Sequence, residues 1–294
     1  MDACIRATFQ NMIPNLPLDE LARRYNNGAA VPDWADALLP RWQRESERVR
    51  TDAAGARDVA YGPLSRNRFD VFTPKGAAPI AGWPALIFIH GGYWQRLSKE
   101  DWSVIAAPFV ANGMAAAILG YTLCPQTSIR GIAGEIESAV ACLWQQAPER
   151  HLNRDRIALA GHSAGGHLTA WCMTTDWSTH GLPATPFVSA TAISGVFDLE
   201  PLVPTYLNDA LKLTNDEALA MSPAYCDRRV TCDFTAAVGG AELEEFLRQN
   251  QLLGKLWKNV TEWEMPGLNH FTIIDELTRD DSALFKRVTA GFLA

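Results

Sequence analysis

The sequence predicts an α/β fold: a mostly parallel central sheet with helices on both faces, joined to an N-terminal helical arm or cap. Three observations predict it. Short unbroken apolar runs recur along the chain, longer stretches with apolar residues every three or four positions lie between them, and residues 1–55 differ from both. A strand buried on both faces reads as a continuous apolar run, whereas a helix covering such a sheet keeps a 3.6-residue period. Their alternation implies a sheet between two helical layers, with ligands gathering at the carboxyl ends of the strands.

Within residues 1–55, "LDELARRYNNGAAVPDWADALLPRWQRESERVR" is rich in charge and Trp, and its helical spacing breaks at Gly28 and Pro32. Residues 56–294 form the core, and residues 1–294 are read as a single domain. "RFDVFTP" alternates as a half-exposed strand would. "PALIFIH", "GMAAAILGY", "RIALAGH", "VSATAISG" and "DFTAAVGG" read as buried parallel strands, and "VTEWEMP" as a last strand. Helices are expected over "KEDWSVIAAPFVANG", "IRGIAGEIESAVACLWQQAP", "AGGHLTAWCMTT", "ELEEFLRQNQLLGKLW" and "DSALFKRVTAGFL".

Composition narrows the function classes. A chain of 294 residues that is 48% hydrophobic can bury a large core. Its net charge of −7 and lack of a dense Lys/Arg stripe argue against nucleic acid as a partner. The start of the chain has no apolar segment of a signal peptide, and the longest apolar stretch is broken by Pro108, Asn112 and Gly113. A soluble, cytoplasmic protein without a membrane partner is therefore expected. Cys4, Cys124, Cys142, Cys172, Cys226 and Cys232 form no C-x-x-C pair and mostly lie in apolar runs, which suits reduced thiols. Composition leaves oligomeric state open, a homo-oligomer included.

The first chemical motif is "GHSAG", Gly161 to Gly165. It fits G-x-S-x-G at a strand-to-helix junction, the context of a nucleophile elbow, in which Ser163 stands clear of a strained turn. Glycine on either side lets strand and helix approach without Cβ clashes. The amide of Ala164 then points where an oxyanion would form.

The second is "IFIHGGYW", Ile87 to Trp94. Two glycines after a buried strand can turn backbone N–H groups towards an oxyanion, so Gly92 and Tyr93 join Ala164 as candidate donors. His90, just before this loop, is expected to brace it through a backbone hydrogen bond rather than act as a base.

The third is "MPGLNHFTIIDEL", which sets His270 on a loop between the last strand and the last helix. A general base belongs there in the chain order serine, acid, histidine. Two carboxylates follow strands and precede His270. Glu242, after "FTAAVGG", is favoured because it leaves the later strand; Asp198 in "SGVFDLEPL" is the rival acid, or else a loop anchor. Glu244 and Glu245 fall in the next helix and are expected on its solvated face. Tyr93, Trp94, Tyr121, Phe197 and Phe271 lie at strand ends or just beyond, where an aryl group could pack.

Other chemistries fit less well. His162 and His167 lack the i, i+4 spacing of a zinc-binding helix, and "GHSAGGH" lacks the Lys of a phosphate-binding loop. No metal and no cofactor is expected.

"HGGYW", "GHSAGGHL", an acid after "VGG", "NHF" near the end, and the "RRYNN" and "VPDW" of the arm together resemble the kynurenine formamidase (arylformamidase) branch of the α/β-hydrolase superfamily, close to the hormone-sensitive-lipase-like esterases. The likeness runs over most of the chain, and HGG-x-W is narrower than G-x-S-x-G. It implies Ser163 as nucleophile, His270 as base, Glu242 as acid and His90 through Trp94 as the oxyanion motif. One departure stands out: family members usually carry Asp where this chain has Glu242, one methylene longer. The implied activity is hydrolysis of a small, aromatic acyl amide or ester through an acyl-enzyme, an aryl formamide such as N-formylkynurenine foremost. A short-chain carboxylesterase is the alternative on the same machinery, and a ligand-binding protein retired from catalysis the alternative of another class.

Overall fold

The computed structural model describes residues 16–292. Eight strands build one sheet: β1 (Ala54–Ala60), β2 (Arg68–Thr73), β3 (Trp83–Ile89), β4 (Ala115–Leu119), β5 (Leu152–His162), β6 (Ser189–Ile193), β7 (Asp233–Gly239) and β8 (Val260–Met265). Their spatial order is β1-β2-β4-β3-β5-β6-β7-β8. β1 and β2 are antiparallel to their neighbours, and β3 to β8 all run parallel.

The five apolar runs are the parallel strands β3 to β7. Their side chains alternate between two cores: on β3, Ala85, Ile87 and Ile89 enter one and Leu86 and Phe88 the other. This is the period-two geometry of a strand covered on both sides. Helices Ile129–Gln146, Ala164–Thr174 and Glu244–Leu256 cover the first face. Helices Leu38–Asp52, Ala106–Ala111 and Ala283–Thr289 cover the second.

Three local expectations are corrected. β2 is not half-exposed: from Phe69 to Thr73 every residue is buried. Its alternation arises because Asp70 is neutralised inside the protein by Lys99 Nζ, 3.0 Å away, and by Arg50, rather than by water. "KEDWSVIAAPFVANG" is not one helix but a 3-10 helix, Lys99–Ile105, followed by Ala106–Ala111. Pro108 has no N–H to continue the i to i−4 ladder across that join. β1 went unpredicted because an edge strand of polar and small residues carries no apolar signal.

The arm contains the helices Leu18–Arg24, Asn27–Ala30 and Leu38–Asp52, with a 3-10 turn at Pro32–Trp34 where the spacing breaks. Its Tyr25 joins the first core and its Trp42 the second. Five cysteines, Cys124, Cys142, Cys172, Cys226 and Cys232, are free thiols, while Cys4 lies outside the described residues. Among the described residues no helix is long and apolar enough to cross a membrane.

Candidate active site

β5 runs directly into Ser163, and helix Ala164–Thr174 leaves it. Ser163 has φ 57° and ψ −117°, a conformation costly for a residue with a Cβ. Its neighbours hold it there. The Ser163 amide donates to the Ile193 carbonyl at 2.8 Å, and its carbonyl accepts from His167 at 3.1 Å. A Cβ on Gly165 would run into the Ile89 carbonyl, and one on Gly161 into the Gly165 carbonyl. Glycine at these positions is what lets β3, β5 and the helix meet at backbone distance.

The loop after β3 is tightly wound, with positive φ at Gly92 (116°), Tyr93 (50°), Trp94 (56°) and Leu97 (68°). The Gly92 carbonyl accepts from Gln95 at 3.1 Å and Arg96 at 3.0 Å. Among the described residues, no protein acceptor takes the amides of Gly92, Tyr93 or Ala164. His90 is fully buried, stacks on Tyr121 with ring centroids 4.2 Å apart, and has Nδ1 2.7 Å from the Gly91 carbonyl. A carbonyl only accepts, so Nδ1 carries the proton, and burial pushes this imidazole down to about 4. It is a neutral brace.

His270 follows β8 on a loop pinned from two sides. The Asn269 side chain accepts from the amides of Phe271 and Thr272, both at 3.0 Å, and His162 Nε2 lies 2.8 Å from the His270 carbonyl. That contact makes Nε2 the protonated nitrogen of His162. Burial, then the charge of neighbouring His270, holds His162 well below the usual histidine range. His270 Nδ1 in turn is 2.7 Å from Glu242 Oε2. The other carboxylate oxygen, Oε1, accepts from Ser194 Oγ at 2.5 Å and from the Gly239 amide at 2.8 Å.

Asp198 has other company. Its Oδ1 accepts from the Glu200 amide at 3.2 Å, its Oδ2 is 3.5 Å from Arg248, and burial raises its carboxyl to about 6. The geometry is that of a loop anchor. Glu245, expected in solvent, is buried: its Oε2 accepts from Tyr25 Oη at 3.0 Å and from Arg248 at 2.8 Å. A helix face that meets the arm is not a solvated face.

Ser163, His162 and His270 open onto one cavity of about 640 Å³, its open mouth included. Its walls are aromatic: Tyr25, Trp34, Trp42, Tyr93, Trp102, Tyr206 and Phe271, with Trp34 stacked on Phe271 at 4.7 Å and 2°. Of the five expected pocket aromatics, Tyr93 and Phe271 line it. Trp94, Tyr121 and Phe197 are corrected to core positions, each fully buried. Trp94 packs edge-on against His167, Tyr121 stacks under His90 while donating to its carbonyl at 2.9 Å, and Phe197 fills the space left by Gly195. A strand end delivers backbone to the site, but here the side chains beside it turn into the packed layer. Tyr25, Trp34, Trp42, Trp102 and Tyr206 were missed as wall residues. They come from the arm, from the 3-10 helix after β3 and from the excursion after β6, which no strand-end rule reaches. The Trp-rich composition of the arm was the available signal. Among the described residues, no group of three or more His, Cys, Asp or Glu side chains is arranged to hold a metal ion.

A kynurenine formamidase of Danio rerio is 31% identical over 91% of this chain and 94% of its own length. The chain belongs to the kynurenine formamidase family. Within it, residues 69–198 match the BD-FAE family model. A solved structure from Silicibacter sp. TM1040, provisionally called a thioesterase, is 34% identical, has a TM-score of 0.80 and is covered over 99% of its chain and 92% of this one. A hyperthermophilic esterase of Pyrobaculum calidifontis, 16% identical, shares the fold over 88% of this chain and 94% of its own with a TM-score of 0.66. This member of the formamidase family is thus an α/β-hydrolase acting on an ester or amide bond.

Proposed function

We propose that the protein is a serine hydrolase of aryl formamides, N-formylkynurenine-like compounds foremost, and that Ser163, His270 and Glu242 carry the reaction through an acyl-enzyme. Ser163 Oγ attacks the formyl carbon as His270 Nε2 takes its proton, and the tetrahedral oxyanion is received by the amides of Gly92, Tyr93 and Ala164. His270 then passes the proton to the departing arylamine. Water, deprotonated by the same imidazole, attacks the formyl-enzyme and releases formate. Glu242 accepts from Nδ1–H throughout, holding the tautomer and stabilising the imidazolium.

The observation that carries this reading is the 2.7 Å contact of Glu242 with His270, whose imidazole shares an aromatic-walled cavity with the strained Ser163. Three amides without a protein acceptor, that of Ala164 next to the serine and those of Gly92 and Tyr93 on residues lining the same cavity, support the oxyanion step. The likeness to a named kynurenine formamidase along nearly its whole length supports the substrate class.

The test compares turnover of N-formylkynurenine and p-nitrophenyl acetate by wild type and Ser163→Ala, with fluorophosphonate labelling of both. Formamide turnover and labelling, each abolished by Ser163→Ala, are expected. Cleavage of the acetate alone would make the protein a short-chain carboxylesterase, and an unlabelled Ser163 would end the acyl-enzyme proposal.

A further inference from the structure

Two polar groups in the cavity wall have no part in the proposed acyl transfer. Asn27 is 4% exposed, and its Nδ2 is buried without a hydrogen-bond partner. It lines the cavity from the arm. A buried amide without an acceptor costs about 1–3 kcal/mol, so an unpaired donor on a residue that lines a ligand cavity calls for an acceptor that arrives with the ligand. Neighbouring Asn26 instead caps the short helix Asn27–Ala30, its Oδ1 accepting from the Ala29 amide at 3.1 Å.

Arg96 is the second group. Of the described residues lining the cavity, it is the one Lys, Arg, Asp or Glu. It is solvent-exposed, so it stands on the water side of the cavity, and it takes part in none of the ion pairs of the described residues. In a chain of net charge −7, an unpaired guanidinium at an otherwise uncharged aromatic cavity makes a local site for an anion. One planar cation with one neutral amide matches a carboxylate, whose two oxygens a guanidinium can engage together. A dianionic phosphate would meet no second cation among the lining residues.

We propose that Arg96 and Asn27 receive a carboxylate carried by the substrate, so that the cavity selects aryl amides that bear a carboxylate over those of the same shape that lack it. This rests on the reading of the cavity as the site of acyl transfer and assigns its specificity.

N-formylkynurenine and its α-carboxamide present the same formamide with and without the negative charge. Wild type should favour the carboxylate by more than threefold in kcat/KM. Arg96→Gln should cut that ratio more than threefold, mainly through KM, Arg96→Lys should restore part of it, and Asn27→Asp should cut it by opposing the charge. A wild-type preference below threefold, or one that survives both Arg96→Gln and Asn27→Asp within threefold, overturns the proposal whatever the absolute rates. Arg96 is exposed, so its variants should fold; thermal melts verify this. If neither formamide is cleaved, the proposed reaction fails but the carboxylate site is still read, by calorimetric titration of kynurenine and kynurenine carboxamide into each protein. Tighter binding of kynurenine that Arg96→Gln abolishes upholds the site, and equal Kd values remove it.

Discussion

Ser194 donates a 2.5 Å hydrogen bond to Oε1 of Glu242 and so leaves Oε2 of the same carboxylate to His270. The Gly239 amide is the second donor to Oε1, at 2.8 Å. Ser194 directly follows β6 and Gly239 ends β7, so two adjacent strands set the orientation of this carboxylate. With one oxygen doubly held, the methylene that Glu has beyond Asp adds little freedom. Ser194→Ala should lower kcat by roughly tenfold with KM within about twofold, the scale of one hydrogen bond to a charged group. An equal fall in kcat for Ser194→Thr, which keeps the hydroxyl, would point to packing instead.

Glu242→Gln keeps the shape but removes the charge and offers His270 a donor in place of an acceptor. In a serine triad this kind of change costs on the order of 10⁴ in kcat. Asp198→Asn should cost less than about tenfold, because Asp198 faces Arg248 and the Glu200 amide. Steady-state kinetics of the two variants side by side would reverse the assignment if Asp198→Asn were the more damaging.

Trp34 of the arm lies flat on Phe271, the residue after His270. The stack closes the aromatic wall, so Trp34→Ala should raise KM for an aryl substrate by roughly 2- to 12-fold, the equivalent of about 0.5–1.5 kcal/mol. The KM for a small aliphatic ester should move less. Equal changes for both substrates would show that the arm holds the fold rather than the ligand.

Burial pushes His90 and His167 down to about 4, whereas both titrate near 6.5 once unfolded. Between those values the unfolded chain binds protons that the folded chain excludes. Stability from this source is therefore complete above pH 6.5 and is lost as pH falls towards 4, by on the order of 2 kcal/mol per histidine between pH 8 and pH 5. Urea melts at the two pH values should show the loss, and His167→Asn should shrink it by about one histidine's share. An unchanged pH slope in that variant would refute the account.

The sheet was legible because burial on both faces writes itself into sequence as unbroken apolar runs, which is why β3 to β7 were found where they lie. β2 misled for the opposite reason: Asp70 looks like a solvent-facing residue until Lys99 and Arg50 arrive from distant parts of the chain. The elbow and the loop after β3 were legible because glycine there answers a local backbone demand. The wall aromatics were not, since nothing local to Trp94, Tyr121 or Phe197 says which way each ring turns.

The sequence alone determined the order of strands and helices, the strained serine turn between β5 and its helix, and the placing of an acid and a histidine after the last two strands, because these follow from near-neighbour sterics and from the period of apolar residues. Only tertiary structure decided that Glu242 rather than Asp198 meets His270, that Ser194 steadies that carboxylate, and that Tyr25, Asn27 and Trp34 of the arm reach the cavity. Those are contacts between residues tens to hundreds of positions apart, and packing of the whole chain is what brings them within hydrogen-bonding or stacking distance.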